Sequence, residues 1–382
     1  MSNSKNELLL KKKQIILYGP PGTGKTYQTK QGAVEVIANG VDQMQYSSQY
    51  EINQQYEVLK GKEQIEFITF HPSYSYEEFV EGITVDVKTT GEATSELKYK
   101  LKHGIFKRII IRAITRALDP KQEDDELNKP SLTKLMEKYR DAIRLITSNI
   151  NDPKEKSEAI EKWWADKPKF VLIIDEINRG DISKIFGELI TLLEADKRLG
   201  MDNEITAILP YSQEELGVPP NLYIVGTMNT ADKSIALIDI ALRRRFGFME
   251  MSPEFDIVRS EHIEKNKELL VKEEVFKGLE ESINALKKIN EKISSDPSVG
   301  RDKQIGHSFL FKVLNQSDLI LVWKHEILPL LEEYYYGKYP RINNLLFGKD
   351  GDTEWIKQSS GISDLSNYDG LMNFLNEINK SN

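Results

Sequence analysis

Hydrophobic and polar positions follow three patterns along this chain, and each predicts a different kind of element. Short runs that are apolar at almost every position occur at "QIILY" (14–18), "FVLII" (170–174) and "LYIV" (222–225). Such runs suit buried strands, with Phe170–Ile174 the best case for a central parallel strand covered on both faces. "QIEFITF" (64–70) sets Ile65, Phe67 and Thr69 against Glu66 and Ile68, and "FGFMEM" (246–251) is again strand-like. Helical spacing dominates elsewhere. "TYQTKQGAVEVI" (26–37) predicts a helix directly after the first strand, and "KGLEESINALKKINEKI" (277–293) places Leu279, Ile283, Leu286 and Ile289 or Ile293 on one face. From about 120 to 165 the chain is strongly charged, with apolar residues at helical spacing and punctuation by Pro120, Pro130 and Pro153, which predicts a helical insertion. Residues 1–12 are expected as a polar leader, a solvated approach to the first strand. The whole predicts a three-layer α/β domain with a parallel sheet over about 13–250, followed by a helical domain over about 251–382.

Composition narrows the class. At 382 residues the chain exceeds a single core and should hold two or three domains. Charged residues at 29% and hydrophobic ones at 39% describe an ordinary globular protein. The absence of cysteine excludes disulfides and thiolate metal sites, and agrees with a reducing cytoplasm, where the chain is expected to reside. No apolar run reaches the roughly 18 residues of a membrane span, and "LLL" (8–10) precedes its positive charges, unlike a signal peptide. A net charge of −8 excludes a surface that grips nucleic acid throughout, so any DNA contact must be local.

Chemistry enters at "GPPGTGKT", where Gly19, Pro20, Pro21, Gly22, Thr23, Gly24, Lys25 and Thr26 fit the phosphate-loop pattern G-x-x-x-x-G-K-[ST]. Glycines let the backbone turn tightly and bring its N–H groups to phosphate oxygens. Lys25 meets the outer phosphates, Thr26 offers a hydroxyl to Mg²⁺, and the following helix points its positive end at the anion. An ordinary Gly/Pro turn is the bland alternative, disfavoured by the flanking strand and helix.

Two strand ends carry the remaining candidates. The 170–174 run ends in Asp175 and Glu176. At the carboxyl end of a parallel strand, beside a phosphate loop, Asp175 can hold Mg²⁺ through water and Glu176 can polarise the attacking water. The 222–225 run leads to Asn229, an amide able to donate to a γ-phosphate oxygen and accept from that water; Asn229 to Asp232 also read as an Asx-turn capping a helix from Ser234, and the two are compatible. That helix ends in Arg243, Arg244 and Arg245. Three consecutive arginines cannot share one face, so one can serve a neighbouring subunit; a basic last turn complementing the helix dipole is the alternative.

"GPPGTGKT", "DEINRG", "GTMNTADKSIALIDIALRRRF", "FHPSYSYEEFVEGI" and "WKHEILPLLEEYYYGKY" together resemble the AAA+ motor subunits of McrBC modified-DNA restriction systems, the McrB family, over about 14 to at least 340. The resemblance implies an AAA+ P-loop NTPase fold with a C-terminal helical lid, GTP in place of ATP with Mg²⁺ as cofactor, a hexameric ring, and a McrC-type nuclease partner that cleaves DNA. It assigns triphosphate and Mg²⁺ binding to Gly19 through Thr26 and Asp175, hydrolysis to Glu176, and sensing of water and phosphate to Asn229. Asn178, Arg179, Arg244 and Arg245 are implied to act at or across the subunit interface. Asp232 joins the nucleotide-binding candidates. So does His307 in "QIGHSFL" (304–310), where AAA+ lids present a second sensor arginine that this stretch lacks; a capping or packing role for His307 stays open. About a dozen residues stand where McrB proteins carry a DNA-recognition domain, so base-specific reading is expected from the complex. An ATP-driven remodeller of the MoxR type is the alternative, as is a nucleotide-gated scaffold, which an intact Glu176 disfavours.

Overall fold

The computed structural model describes residues 2–38, 49–88, 96–121, 131–232, 240–336, 340–348, 365 and 367–381. Nine strands are described among them: β1 (Gln14–Gly19), β2 (Ile65–Thr69), β3 (Glu81–Lys88), β4 (Glu96–His103), β5 (Phe170–Asp175), β6 (Ala207–Ile208), β7 (Glu215–Leu216), β8 (Leu222–Asn229) and β9 (Gly247–Glu250). Five form the central sheet in the order β2-β5-β8-β1-β9, and these are the five expected from the sequence. β5 pairs in parallel with β2, Ile65 opposite Val171 through Thr69 opposite Asp175, and with β8, Phe170 opposite Leu222 through Ile174 opposite Gly226. Residues Val171 to Ile174 are fully buried because β5 is central. Truncating Ile173 to alanine would cost about 2–5 kcal/mol.

By its internal contacts the chain divides into two units, one of residues 1–17, 26–228 and 234–249, the other of residues 18–25, 229–233 and 250–382. In the first, the sheet is flanked by helices that include Lys25–Ala38, Gln49–Gly61 and Ile105–Leu118. Arg112 ties the last of these to the β2 edge by bonds of 2.6 Å to Glu66 and 2.7 Å to Glu63. The expected insertion contains the helices Leu132–Thr147 and Pro153–Ala165, the second capped by Asp152, whose carboxylate accepts the Glu155 N–H at 3.0 Å. Residues 122–130 of it lie outside the described residues.

Three features differ from the sequence reading or extend it. Residues expected as a solvated leader form a helix, Ser2–Lys12, with Leu9 buried and Lys5 and Asn6 bonded to Gln28 and Glu35 of the helix Lys25–Ala38. Leu9 packs and the buried Lys5 finds oxygen partners on Gln28, contacts that a count of charges along the segment conceals. An antiparallel hairpin, β3–β4, was not expected; it sets Ile83 opposite Leu101 and Val85 opposite Tyr99, all four exposed. A buried ion pair holds its base. Lys107 donates to Glu81 at 2.6 Å, and Glu81 also accepts the N–H groups of Tyr211 and Ser212 between β6 and β7. Burial alone would raise the Glu81 carboxyl, but Lys107 and Ser212 hold it below its ordinary value.

In the second unit the described elements from residue 255 onward are helical. Leu279, Ile283, Leu286, Ile289 and Ile293 of the helix Phe276–Ser295 are all fully buried, as their spacing requires. Trp323 packs into the same core and donates its indole N–H to Ser282 at 2.9 Å. Among the described residues no helix is long and apolar enough to cross a membrane.

Candidate functional site

In the loop after β1, Gly22 and Gly24 have φ of +76° and +75°, the left-handed region that a Cβ disfavours. Lys25 folds back over this turn. Its ammonium donates to the carbonyls of Gly19 at 2.9 Å and Pro20 at 2.6 Å, and reaches Thr23 Oγ1 at 3.5 Å. Thr23 in turn donates to Pro20 O at 3.0 Å, which braces the loop from inside. The helix Lys25–Ala38 starts at the loop's end, so its first N–H groups face whatever the loop holds.

The same unit supplies a second backbone layer. Gly306 donates its N–H to Pro21 O at 3.0 Å and Ser308 donates to Gly22 O at 2.7 Å, so "GHS" is laced onto the phosphate loop. His307 lies between them and is 7% exposed. Its Nδ1 accepts the Glu254 N–H at 2.9 Å, which assigns the ring proton of the neutral form to Nε2. Nε2 lies 3.8 Å from where a Cβ on Gly24 would stand, and burial pushes the imidazole pKa down to about 4. Thr230 donates its N–H to Gly19 O at 3.1 Å, and Asn229 Oδ1 accepts the Ala231 N–H at 3.2 Å, the Asx-turn that the sequence left open. Asp232 is partly buried, and residues 233–239, where the following helix was expected to begin, lie outside the described residues.

The first unit gathers the acidic group. Thr26 Oγ1 lies 3.4 Å from Asp175 Oδ1 at the carboxyl end of β5. Thr227, on the neighbouring tip of β8, donates its hydroxyl to Asp175 Oδ1 and accepts the Glu176 N–H at 3.0 Å. Glu176 has φ +52° and ψ +45°, a left-handed conformation that costs a non-glycine residue about 1 kcal/mol or more. Such strain concentrates where a side chain must be aimed. Arg179 Nε meets Glu176 Oε2 at 2.9 Å, and Asn178 is buried in the turn Ile177–Arg179. Thr227 escaped the sequence reading. It sits one position beyond Gly226, the partner of Ile174, and so beside Asp175, a register that the sequence does not display.

A hydroxyl and a carboxylate are hard oxygen donors of the kind Mg²⁺ takes when phosphates and water complete its octahedron. Among the described residues no group of three His, Cys, Asp or Glu forms an all-protein cage, and Mg²⁺ held with a nucleotide needs none.

The arginine triplet separates in three directions. Arg245 Nε lies 3.3 Å from Glu194 Oε1, its side chain 18% exposed, and its carbonyl accepts Gln14 Nε2 at 2.6 Å. The Arg243 guanidinium lies over the Phe248 ring, 5.6 Å from its centroid. Arg244 is exposed, and no described carboxylate forms an ion pair with it.

Residues 14–246 match the family described as AAA domain (dynein-related subfamily), and residues 281–343 match the McrB alpha-helical lid domain. The "Type IV methyl-directed restriction enzyme EcoKMcrB subunit" of Escherichia coli (strain K12) is 30% identical over 350 residues, 88% of this chain and 58% of that protein. The "Type II restriction enzyme BsuMI component YdiS" of Bacillus subtilis (strain 168) is 35% identical over 88 residues, 21% of this chain and 26% of that protein. The chain therefore spans little more than half of the first relative and about a quarter of the second.

Proposed function

The chain belongs to the McrB family of AAA+ proteins, and from that premise we propose that it is a nucleoside triphosphatase using GTP, the motor subunit of a DNA-restriction complex. The observation that carries the reading is the tip of β5. Thr26 and Asp175 stand 3.4 Å apart as a Mg²⁺ pair, with Glu176 beside them in a strained, aimed conformation. In this reading the loop Gly19–Thr26 cradles the phosphates and Lys25 turns from its own carbonyls to the outer phosphate oxygens. When bound, Mg²⁺ neutralises charge on the β- and γ-phosphates; Glu176 orients and polarises the attacking water, and Asn229 hydrogen-bonds water and phosphate. The neutral His307 N–H donates toward the nucleotide where a sensor arginine would bring charge.

Arg244 is the arginine that reaches a neighbour's nucleotide, because Arg245 is engaged by Glu194 and Arg243 by Phe248. The assembly is a homo-oligomeric ring, hexameric by family resemblance, which drives a McrC-type nuclease subunit; DNA is read through that complex. Side-by-side steady-state titrations with GTP and ATP, with and without the nuclease subunit, test this function. Hydrolysis of GTP over ATP, stimulated by the nuclease, is the expected outcome. Preference for ATP with no response to the nuclease would favour a remodeller of protein complexes.

A further inference from the structure

At the other end of the same strands the chain builds a cavity lined by several charged side chains. Lys13 precedes β1, Lys169 precedes β5 and Asn221 precedes β8, and all three line a cavity of about 690 Å³ together with Trp164 and Tyr223. That volume lies within the range of small-molecule sites. Asp175 and Thr227 occupy the opposite ends of β5 and β8, so this cavity is separate from the acidic group described above.

Two of the cations here form no ion pair among the described residues. Lys13 Nζ donates to Tyr223 Oη at 3.2 Å and lies 4.8 Å from that ring, and among the described residues neither Lys13 nor Lys169 pairs with a carboxylate. Behind them Arg198 is wholly buried on the carbonyls of Leu193, Pro219 and Leu222 and on Gln14 Oε1, again without a carboxylate. Burial, then the charges of Arg198 and Lys169, lower the Lys13 amine to about 8, against a smaller opposing effect of Glu161. Four carboxylates, Glu158, Glu161, Asp196 and Asp202, and two further lysines, Lys11 and Lys162, also line the cavity; Asp202 accepts from Ser157 at 2.7 Å and Asp196 from Asn203 at 3.0 Å.

Two further observations point to a ligand. Asn221 is 2% exposed; its Nδ2 donates to Pro168 O at 2.7 Å and Ala113 O at 3.2 Å, which fixes the amide, and its buried Oδ1 has no partner. A buried acceptor left alone costs about 1–3 kcal/mol. Lys13 itself has φ +67° at the end of the helix Ser2–Lys12, its N–H on Leu9 O at 2.8 Å. Glycine is the usual occupant of such a position, and a lysine there aims an amine into the cavity at a conformational cost.

We propose that this cavity is a second anion site that takes inorganic phosphate. Lys13 and Lys169 receive the anionic oxygens, and Asn221 Oδ1 accepts the remaining P–OH of a singly protonated phosphate. A phosphodiester has no such hydroxyl, so nucleic-acid backbone fits the donor pattern less well.

Residue-resolved amine acylation of the full chain at pH 8, read by peptide mass spectrometry, tests the site without interference from the phosphate loop, because Lys13 and Lys25 lie in separable positions. Inorganic phosphate, which keeps one P–OH at pH 8, should at ten times Kd protect Lys13 and Lys169 about tenfold while the exposed Lys154 is unchanged; glycerol phosphate, a dianion without P–OH at that pH, should protect less. Lys169→Met should abolish protection at Lys13. Equal protection by chloride at matched ionic strength, or no protection at all, would show that there is no site. Protection by a single-stranded oligonucleotide but not by phosphate would overturn the phosphate assignment. The wild-type measurement decides these outcomes even if the variant folds poorly.

Discussion

Gly306 stands so close to Gly22 that a Cβ on Gly306 would fall 1.9 Å from the Gly22 carbonyl carbon. Backbone meets backbone there, and the Gly306 N–H reaches Pro21 O. Gly306→Ala must therefore displace the phosphate loop, at an overpacking cost of about 1–3 kcal/mol. The expected outcome is a folded protein whose nucleotide affinity falls at least tenfold, measured by titration with a fluorescent nucleotide. Unchanged affinity would mean that the contact does not shape the loop.

Thr227 satisfies two groups at once, an Asp175 oxygen and the Glu176 N–H. Thr227→Val keeps the shape and leaves both without that hydroxyl, which should cost about 1–3 kcal/mol of stability. Hydrolysis should require a higher Mg²⁺ concentration, and Thr227→Ser should restore the wild-type Mg²⁺ dependence. A variant that loses stability with an unchanged Mg²⁺ profile would assign Thr227 a structural role alone.

His307 makes stability depend on pH. Its folded pKa of about 4 lies below the ordinary 6.5, so between those values the unfolded chain binds more protons. Stability should therefore fall as pH drops from about 6.5 toward 4, by roughly 3 kcal/mol from this group. His307→Gln should flatten the profile in that window, as measured by urea unfolding at each pH. Identical slopes for the two proteins would contradict the buried, neutral assignment.

Much of this was legible in the sequence, and the omissions have physical causes. The five sheet strands showed themselves because buried parallel strands are apolar at nearly every position, as Phe170–Ile174 is. The β3–β4 hairpin was passed over although Ile83 and Val85, and Tyr99 and Leu101, alternate with polar residues at strand spacing; what the sequence hides is that this apolar face stays exposed. Phosphate-loop and acidic residues were legible through spacing. Thr227 was not, since its role comes from register between two strands that lie far apart in the chain. Nor could spacing divide the arginines: Glu194, which engages Arg245, belongs to a distant turn.

If Arg244 completes a neighbour's site, activity exists only in the oligomer and specific activity should rise with protein concentration. Mixing Arg244→Ala with Glu176→Gln should restore part of the hydrolysis, because some interfaces then pair an intact glutamate with an intact arginine. The same mixture with Arg245→Ala should behave as a stability variant of the Glu194 pair. Failure of the Arg244 mixture to recover activity while rings still form would make Arg244 a solvated residue of the helix end.

The most direct measurement compares nucleotide binding and turnover in Glu176→Gln. The substitution removes the base and leaves Thr26 and Asp175 to hold Mg²⁺, so affinity should stay within a few-fold of wild type while hydrolysis falls by about 100-fold or more. Wild-type turnover by Glu176→Gln would contradict the placement of the catalytic centre at the tip of β5.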